Sequence, residues 1–246
     1  MDKLTADVSP RPIVATAERA DGWRLPHDDE HTAIVGRNGS GKTQLGAWLL
    51  SKKNLQRDPW IIMDFKGEEI FNSLERTREI GFKEVPKLPG VYMLRSAPHL
   101  QDETEAWLWQ LWERENAGLL VDEGYMLPNV DRGAYQAVLT QGRSKNIPVM
   151  TLTQRPVRVS PFAFSEASHI VVFDLNQRRD RRTVEDMTGD DFTTWLPPEF
   201  PQGLPPYHAR WYNVKNGKRY IMRPVPPAAD IVASIDGQLP EKKRWL

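Results

Sequence analysis

Gly36-Arg37-Asn38-Gly39-Ser40-Gly41-Lys42-Thr43 is the stretch that decides the reading of this chain. It satisfies GxxxxGK[ST], a glycine-rich loop whose backbone N–H groups wrap around nucleotide phosphates. The flanks agree with it. His31-Thr32-Ala33-Ile34-Val35 has the composition of a buried strand, and Gln44-Leu45-Gly46-Ala47-Trp48-Leu49-Leu50 that of the first turns of a helix. A helix starting there aims unpaired N–H groups and partial positive charge at an anion. In this pattern Lys42 reaches the β- and γ-phosphates and the Thr43 hydroxyl ligates Mg²⁺. The loop from Gly36 to Thr43, with Gln44 behind it, is therefore assigned to a nucleoside triphosphate, taken as ATP. A plain glycine-rich turn is the alternative, and motif and context together disfavour it.

Two further stretches supply the rest of a hydrolytic site. Ala117-Gly118-Leu119-Leu120-Val121-Asp122-Glu123 is an apolar strand ending in two carboxylates. An aspartate at such a strand end holds Mg²⁺ opposite the loop threonine, which assigns Asp122 to the metal with Thr43. The adjacent Glu123 is placed to accept a proton from the attacking water, which favours hydrolysis over phosphate transfer. The second stretch runs Thr140-Gln141-Gly142-Arg143-Ser144-Lys145-Asn146-Ile147-Pro148-Val149-Met150-Thr151-Leu152-Thr153-Gln154-Arg155-Pro156. Its apolar, β-branched centre reads as a strand with Gln154 at the C-terminal end, where ligands of open α/β sheets gather. A side-chain amide there can touch both the γ-phosphate and the attacking water. Arg143, just before the strand, is either an ordinary surface arginine or one projected into a neighbouring subunit's site.

Composition narrows the class. The chain has 246 residues, no cysteine, and 33 basic against 33 acidic residues, so net charge alone gives no argument for a nucleic-acid partner. Absent cysteine excludes disulfides and thiolate metal sites. No stretch approaches the roughly 18 consecutive apolar residues of a membrane span, and no secretion signal is visible, so a cytoplasmic protein is expected. Charge is unevenly spread: residues 102–123 hold seven acidic residues against one basic, while 140–182 hold eight basic against three acidic. Such polarity suits head-to-tail subunit contacts or a grip on phosphates, and equally two solvated helix faces.

Read along the chain, an N-terminal extension (1–30) precedes a core (31–195) that alternates strand and helix. Strands are expected at 31–35, 60–64, 91–94, 118–122, 148–153 and 169–173, and helices at 42–52, 67–75, 102–116, 131–143 and 177–187. Short apolar strands of this kind belong to a mainly parallel sheet covered on both faces by helices. Trp107, Leu108, Leu111 and Trp112 follow helical spacing and read as core or subunit-interface residues. The segment 196–246 reads as a proline-rich connection, a β-hairpin around Asn216-Gly217, and a tail or arm ending in Lys242-Lys243-Arg244.

The order GRNGSGKT, WIIMDFKGEE, GLLVDEG, QGRSKNIPVMTLTQRP and HIVVFDL resembles the HerA/FtsK superfamily of DNA-pumping ATPases. Within it the small size and the "GR…IPV…TQRP" segment are most similar to genome-packaging ATPases of membrane-containing, tectivirus-like DNA viruses. Asp64-Phe65-Lys66-Gly67-Glu68 resembles the "D-P-K-G-E" element of FtsK and of type IV secretion coupling proteins, with Phe65 in place of proline. The resemblance implies a RecA-like P-loop NTPase core and a homo-oligomeric ring, a hexamer, moving double-stranded DNA with ATP and Mg²⁺. It puts Gln154 on the family's sensor position and Arg143 on its trans-acting arginine. Arg178, Arg179, Arg181 and Arg182 are candidates for lining a pore that holds DNA or for that intersubunit arginine, and equally read as a solvated helix start with internal Arg–Asp pairs. Lys215, Lys218 and Arg219 at the hairpin tip are a second candidate DNA-facing group. The expectation is a viral genome-packaging motor in the host cytoplasm, or virion-associated at a packaging vertex, docking on a capsid vertex or membrane protein. A phage assembly or extrusion ATPase and a secretion coupling-like ATPase are rivals within the class. A P-loop small-molecule kinase and a nucleotide-binding component of a virion vertex are rivals from other classes.

Overall fold

Side chains alternate across a strand, so one run of apolar residues feeds two opposite faces at once. In Trp60-Ile61-Ile62-Met63, Ile61 and Met63 enter one core while Trp60 and Ile62 enter the other. The same division recurs at Leu119 and Val121 against Leu120, and at Ala33 and Val35 against Ile34. Strands built this way must be covered on both faces, which sets the three-layer architecture.

The computed structural model describes residues 23–128, 131–189, 196 and 200–241, with the backbone of 13–14. Its strands are β1 (Ile13–Val14), β2 (His31–Val35), β3 (Pro59–Asp64), β4 (Arg78–Ile80), β5 (Gly90–Arg95), β6 (Gly118–Val121), β7 (Val149–Thr153), β8 (Ala167–Val172), β9 (Ala209–Asn213) and β10 (Lys218–Met222). The helices are α1 (Lys42–Leu50), α2 (Glu69–Asn72), α3 (Gln101–Arg114), α4 (Ala134–Gln141), α5 (Phe162–Ser165), α6 (Arg178–Thr188) and α7 (Ala228–Asp236). The strands form a single ten-stranded sheet in the order β1-β10-β9-β8-β2-β7-β6-β3-β5-β4. From β8 to β4 every pairing is parallel, and β9, β10 and β1 extend the β8 edge antiparallel.

One face of the sheet carries α1, α2 and α7 through Leu45, Leu49, Phe71, Ile231 and Ile235. The other carries α3 to α6 through Trp107, Leu111, Val138, Phe164 and Val184. Trp107, Leu108 and Leu111 are fully buried as their spacing predicts, whereas Trp109 keeps 37% of its surface. All six expected core strands form, as does the hairpin.

Two expectations about the C-terminal part need correction. The hairpin adds β9 to β8, so residues 209–222 continue the core sheet rather than standing apart from it. The stretch read as a tail holds a helix: α7 buries Ile231 and Ile235, four residues apart, and Leu239 follows them into the core. Asp236 caps the N–H groups of Glu75 and Arg76 at 3.0 Å each, and the Gln238 amide donates to Ser51 O at 2.9 Å. Prolines ahead of α7 hid it, because Pro227 breaks a periodic pattern yet sits comfortably at a helix start. Lys242-Lys243-Arg244 lie outside the described residues.

The described part of the N-terminal extension is clasped to the hairpin by a buried carboxylate. Glu30 receives Arg24 at 2.6 Å and Lys215 at 2.5 Å, with His169 at 3.3 Å. Burial opposes the charged form, but Arg24 and Lys215 outweigh it and hold the Glu30 carboxyl well below the usual carboxylate range. The Trp211 indole N–H donates to His169 Nδ1 at 3.0 Å, which leaves the His169 proton on Nε2, facing Glu30. Trp23 packs edge-on against Trp211 at 5.6 Å and covers the sheet there.

Candidate active site

Strand register brings the motifs together. Val35 pairs with Thr153, Thr151 with Val121, and Val121 with Met63, so β2, β7, β6 and β3 end on one level. The segments leaving those ends are the glycine loop, Gln154, Asp122-Glu123 and Phe65-Lys66-Gly67-Glu68. This is the carboxyl edge of a parallel sheet, at the place where open α/β proteins hold ligands.

The loop is shaped by contact as much as by conformation. A Cβ on Gly36 would stand 2.6 Å from both Phe173 Cβ and Ser40 Oγ, so the backbone approaches too closely for a side chain. Gly41 has φ 101° as the chain turns into α1, a region open to glycine and strained for other residues. No side chain caps the N-terminus of α1, which leaves its first turn available to an anion. Lys42 folds back on the loop, its ammonium donating to Arg37 O at 3.1 Å. Burial pushes its pKa below the ordinary lysine range, while the carboxylates of Glu123 and Asp122 pull it back up.

Thr43 Oγ1 donates to Asp122 Oδ1 at 3.1 Å, joining residues 79 apart in the chain. Asp122 and Glu123 are 1% and 2% exposed. Burial, then the neighbouring carboxylates of Glu123, Glu68 and Asp64, push the Asp122 carboxyl up to about 7. Asp122 Oδ2 and Glu123 Oε2 have no hydrogen-bond partner although both are buried, an arrangement that costs free energy unless a cation or ligand completes it. Among the described residues no group of three or more His, Cys, Asp or Glu forms a ready metal cage. Mg²⁺ keeps several waters and takes one or two carboxylates together with substrate phosphates, and the unpartnered Asp122 Oδ2 offers such a carboxylate. Thr43 and Asp122 fit the ion on this chemistry.

Glu123 adopts φ 61°, a left-handed conformation unusual for a side chain of its length, which is sustained where surrounding packing imposes it. Its Oε1 is engaged by the ammonium of Lys66. The Lys66 loop is itself anchored. Asp64 accepts from the N–H groups of Lys66, Gly67 and Glu68 at 3.0, 2.9 and 3.2 Å, and Arg95 grips the same carboxylate. Burial works against the Lys66 ammonium, but the Glu123 contact prevails and its pKa is raised. Because Lys66 keeps about a third of its side chain in water, losing the pair should cost only about 1–2 kcal/mol. Urea denaturation of Lys66→Met, Glu123→Gln and the double variant measures it. A coupling above about 0.5 kcal/mol is expected, and additive effects would show that the two side chains do not support each other.

Gln154 lies at the level of the loop, its amide donating to the Tyr125 hydroxyl at 3.2 Å, two residues beyond Glu123. It borders a hollow shared with Arg37 and Asn38. Arg143 lies elsewhere. It pairs with Asp29 at 3.6 Å, and Gly142 beside it sits against His31 at the start of β2. The length of β2, about 13 Å at 3.3 Å per residue, therefore separates Arg143 from its own loop. Arg178, Arg179, Arg181 and Arg182 are exposed on α6 at the loop end of the sheet, and Asp180 between them turns inward to Arg155 at 3.1 Å. Lys215 is committed to Glu30, while Lys218 is exposed and Arg219 half-buried on the hairpin.

The phosphate loop opens into a cleft of about 790 Å³ bounded by Lys42, Thr43, Glu68, Glu123, Tyr207 and α7. Sequence reasoning missed three features of the site. Lys66 sat in a motif of uncertain role, and its partner is 57 residues away. Tyr207 carried no pattern, being set in place by a proline-flanked turn. The wall made by α7 was hidden by its prolines.

No protein-family model matches the chain. It is 38% identical over 216 residues to the DNA packaging ATPase P9 of Enterobacteria phage PRD1, covering 87% of this chain and 95% of that one. The genome packaging NTPase B204 of Sulfolobus turreted icosahedral virus 2, in complex with ATP-gammaS, superposes with a TM-score of 0.63 at 20% identity, over 82% of this chain and 100% of that one. The pCW3 conjugation coupling protein TcpA follows at TM-score 0.55 and 14% identity, over 83% and 64%. At these identities the two structures show the fold alone.

Proposed function

The chain belongs to the family of the PRD1 DNA packaging ATPase P9, and on that premise we propose that it is a Mg²⁺-dependent motor that drives double-stranded DNA into a viral capsid. It is an ATPase of the genome-packaging kind. The observation that carries the catalytic reading is the Thr43–Asp122 contact with Glu123 beside it, all opening on one cleft.

Hydrolysis needs a water to form a bond to the γ-phosphorus while the bond to the β-phosphate oxygen breaks. Glu123 takes the water's proton, and Lys42 with the N–H groups of the loop and α1 receives the charge that builds on the phosphate oxygens. Thr43 and Asp122 would hold Mg²⁺, which when bound neutralises phosphate charge. Lys66 holds Glu123 Oε1 and leaves Oε2 without a partner, so Oε2 is the oxygen placed to accept the water's proton. Gln154, coupled through Tyr125 to the turn that carries Glu123, reads which nucleotide is present. Arg143 lies too far from its own loop to act there, which supports a role in the next subunit of a ring, a hexamer in this reading. The motor works in the host cytoplasm or at the packaging vertex, against a capsid or membrane protein. Among the described residues no helix is long and apolar enough to cross a membrane.

A kinase would need an acceptor pocket and an arginine-bearing lid, and the paired Asp122-Glu123 at a strand end with Gln154 on the neighbouring strand fit that chemistry poorly. A vertex component that only binds nucleotide has no use for a buried, strained Glu123. One experiment separates these readings: ATPase rate with and without double-stranded DNA, together with solution mass. Severalfold stimulation by DNA in a large assembly is expected. A monomer indifferent to DNA would defeat the motor. If α6 and the hairpin grip the phosphate backbone, log affinity for DNA falls linearly with log salt, by about 0.9 per contact. Salt-independent binding would rule out that grip.

A further inference from the structure

Resting on the phosphate-loop reading above, we propose that the nucleotide base enters a separate apolar slot beside the loop, stacked on Tyr207 and facing Pro224-Val225. The slot holds about 280 Å³, enough for a purine. Buried Phe173 and Met222 form its floor, and Pro224, Val225 and Pro227 its far wall. It shares Gly41, Gln44 and Tyr207 with the phosphate cleft, so a triphosphate seated on the loop has the slot directly at hand.

Tyr207 has features that packing alone does not explain. It is a large aromatic side chain with 57% of its surface exposed. His208 N donates to Pro205 O at 3.2 Å, closing a turn in which Tyr207 takes φ 62°, a position suited to glycine. A tyrosine held there costs of order 1–3 kcal/mol, and such strain gathers at ligand sites. What the conformation achieves is placement. A Cβ built on Gly41 would stand 3.4 Å from Tyr207 Cδ1 and 3.6 Å from Phe173 Cε1, so the loop passes directly beside both rings.

The chemistry of the lining defines the ligand. Aromatic and proline faces offer flat apolar surface, which suits the π-face of a base. The polar side chain at the mouth, Gln44, already donates its amide to Pro226 O at 2.6 Å, which also fixes the far wall to α1. A base held this way is read by its face more than by its edge.

The test compares ATP with inorganic tripolyphosphate, which has the phosphates but no base. Wild-type protein, Tyr207→Gly and Tyr207→Phe are titrated with each by calorimetry. Glycine suits the backbone of the turn, so the first variant keeps its fold, and phenylalanine keeps the ring. Tyr207→Gly should weaken ATP by about 5- to 150-fold, the range for one base–aromatic stack, and weaken tripolyphosphate far less. Tyr207→Phe should bind ATP within about twofold of wild type if the ring face is what matters. Unchanged ATP affinity in Tyr207→Gly, equal losses for both ligands, or a Phe variant as weak as the Gly variant would each overturn the slot. Wild-type protein that binds neither polyphosphate would instead overturn the phosphate-loop reading beneath it.

Discussion

Glu123→Gln should hydrolyse ATP at least about a hundredfold more slowly than wild type while binding it within a few fold, since a positioned general base is worth about 10²–10⁴ in rate. The geometry makes the split sharp. Glu123 lies against the cleft but off the loop, so Thr43 and the start of α1 keep their contacts, and Lys42 loses only one of the carboxylates that support its charge. The substitution also removes one of three carboxylates crowding Asp122, which favours the charged aspartate that a metal requires. Single-turnover hydrolysis and equilibrium ATP binding on the same preparation check this. Wild-type turnover in the variant would move the base elsewhere, and lost ATP binding would make Glu123 a binding group instead.

Much of this site could be read in advance because parallel sheets convert strand ends into a common plane. Once β2 and β6 were recognised as buried strands, their C-terminal residues had to share an edge, and the Thr43–Asp122 contact followed from register. Lys66 and Arg95 were not legible in the same way. Their roles depend on which side chain a loop points at which carboxylate, and no periodicity encodes that. Tyr207 was hidden for a different reason: a turn between prolines has no repeating pattern, and the positive φ that places the ring leaves no mark in the residue type. For α7, Ile231 and Ile235 carried a real helical signal, but it spans little more than two turns and follows a proline cluster. The extension and the tail were separated from the core on composition, whereas Glu30, Lys215 and Asp236 tie both to it through buried or capping carboxylates.

Because β2 stands between Arg143 and its own loop, any catalytic role for this arginine must be played on a neighbouring subunit, and that has a consequence specific enough to measure. Arg143→Ala should lose about 10³-fold or more in turnover, the lower end for a trans-acting arginine, although nothing at its own nucleotide site has changed. Mixing it with Glu123→Gln subunits should restore activity that neither has alone. The Arg143→Ala subunit keeps an intact base, and a Glu123→Gln neighbour supplies the missing arginine. In an equimolar random ring about a quarter of the sites have both, so about a quarter of wild-type turnover is the ceiling if sites fire independently. The exposed Asp29 partner of Arg143, at 3.6 Å, is a weak hold that a phosphate could displace. Arg178→Ala, Arg179→Ala and Arg182→Ala subunits put to the same mixing test probe the opposite end of the sheet. Complementation by one of these and none by Arg143→Ala would transfer the trans role to α6 and leave Arg143 a surface residue.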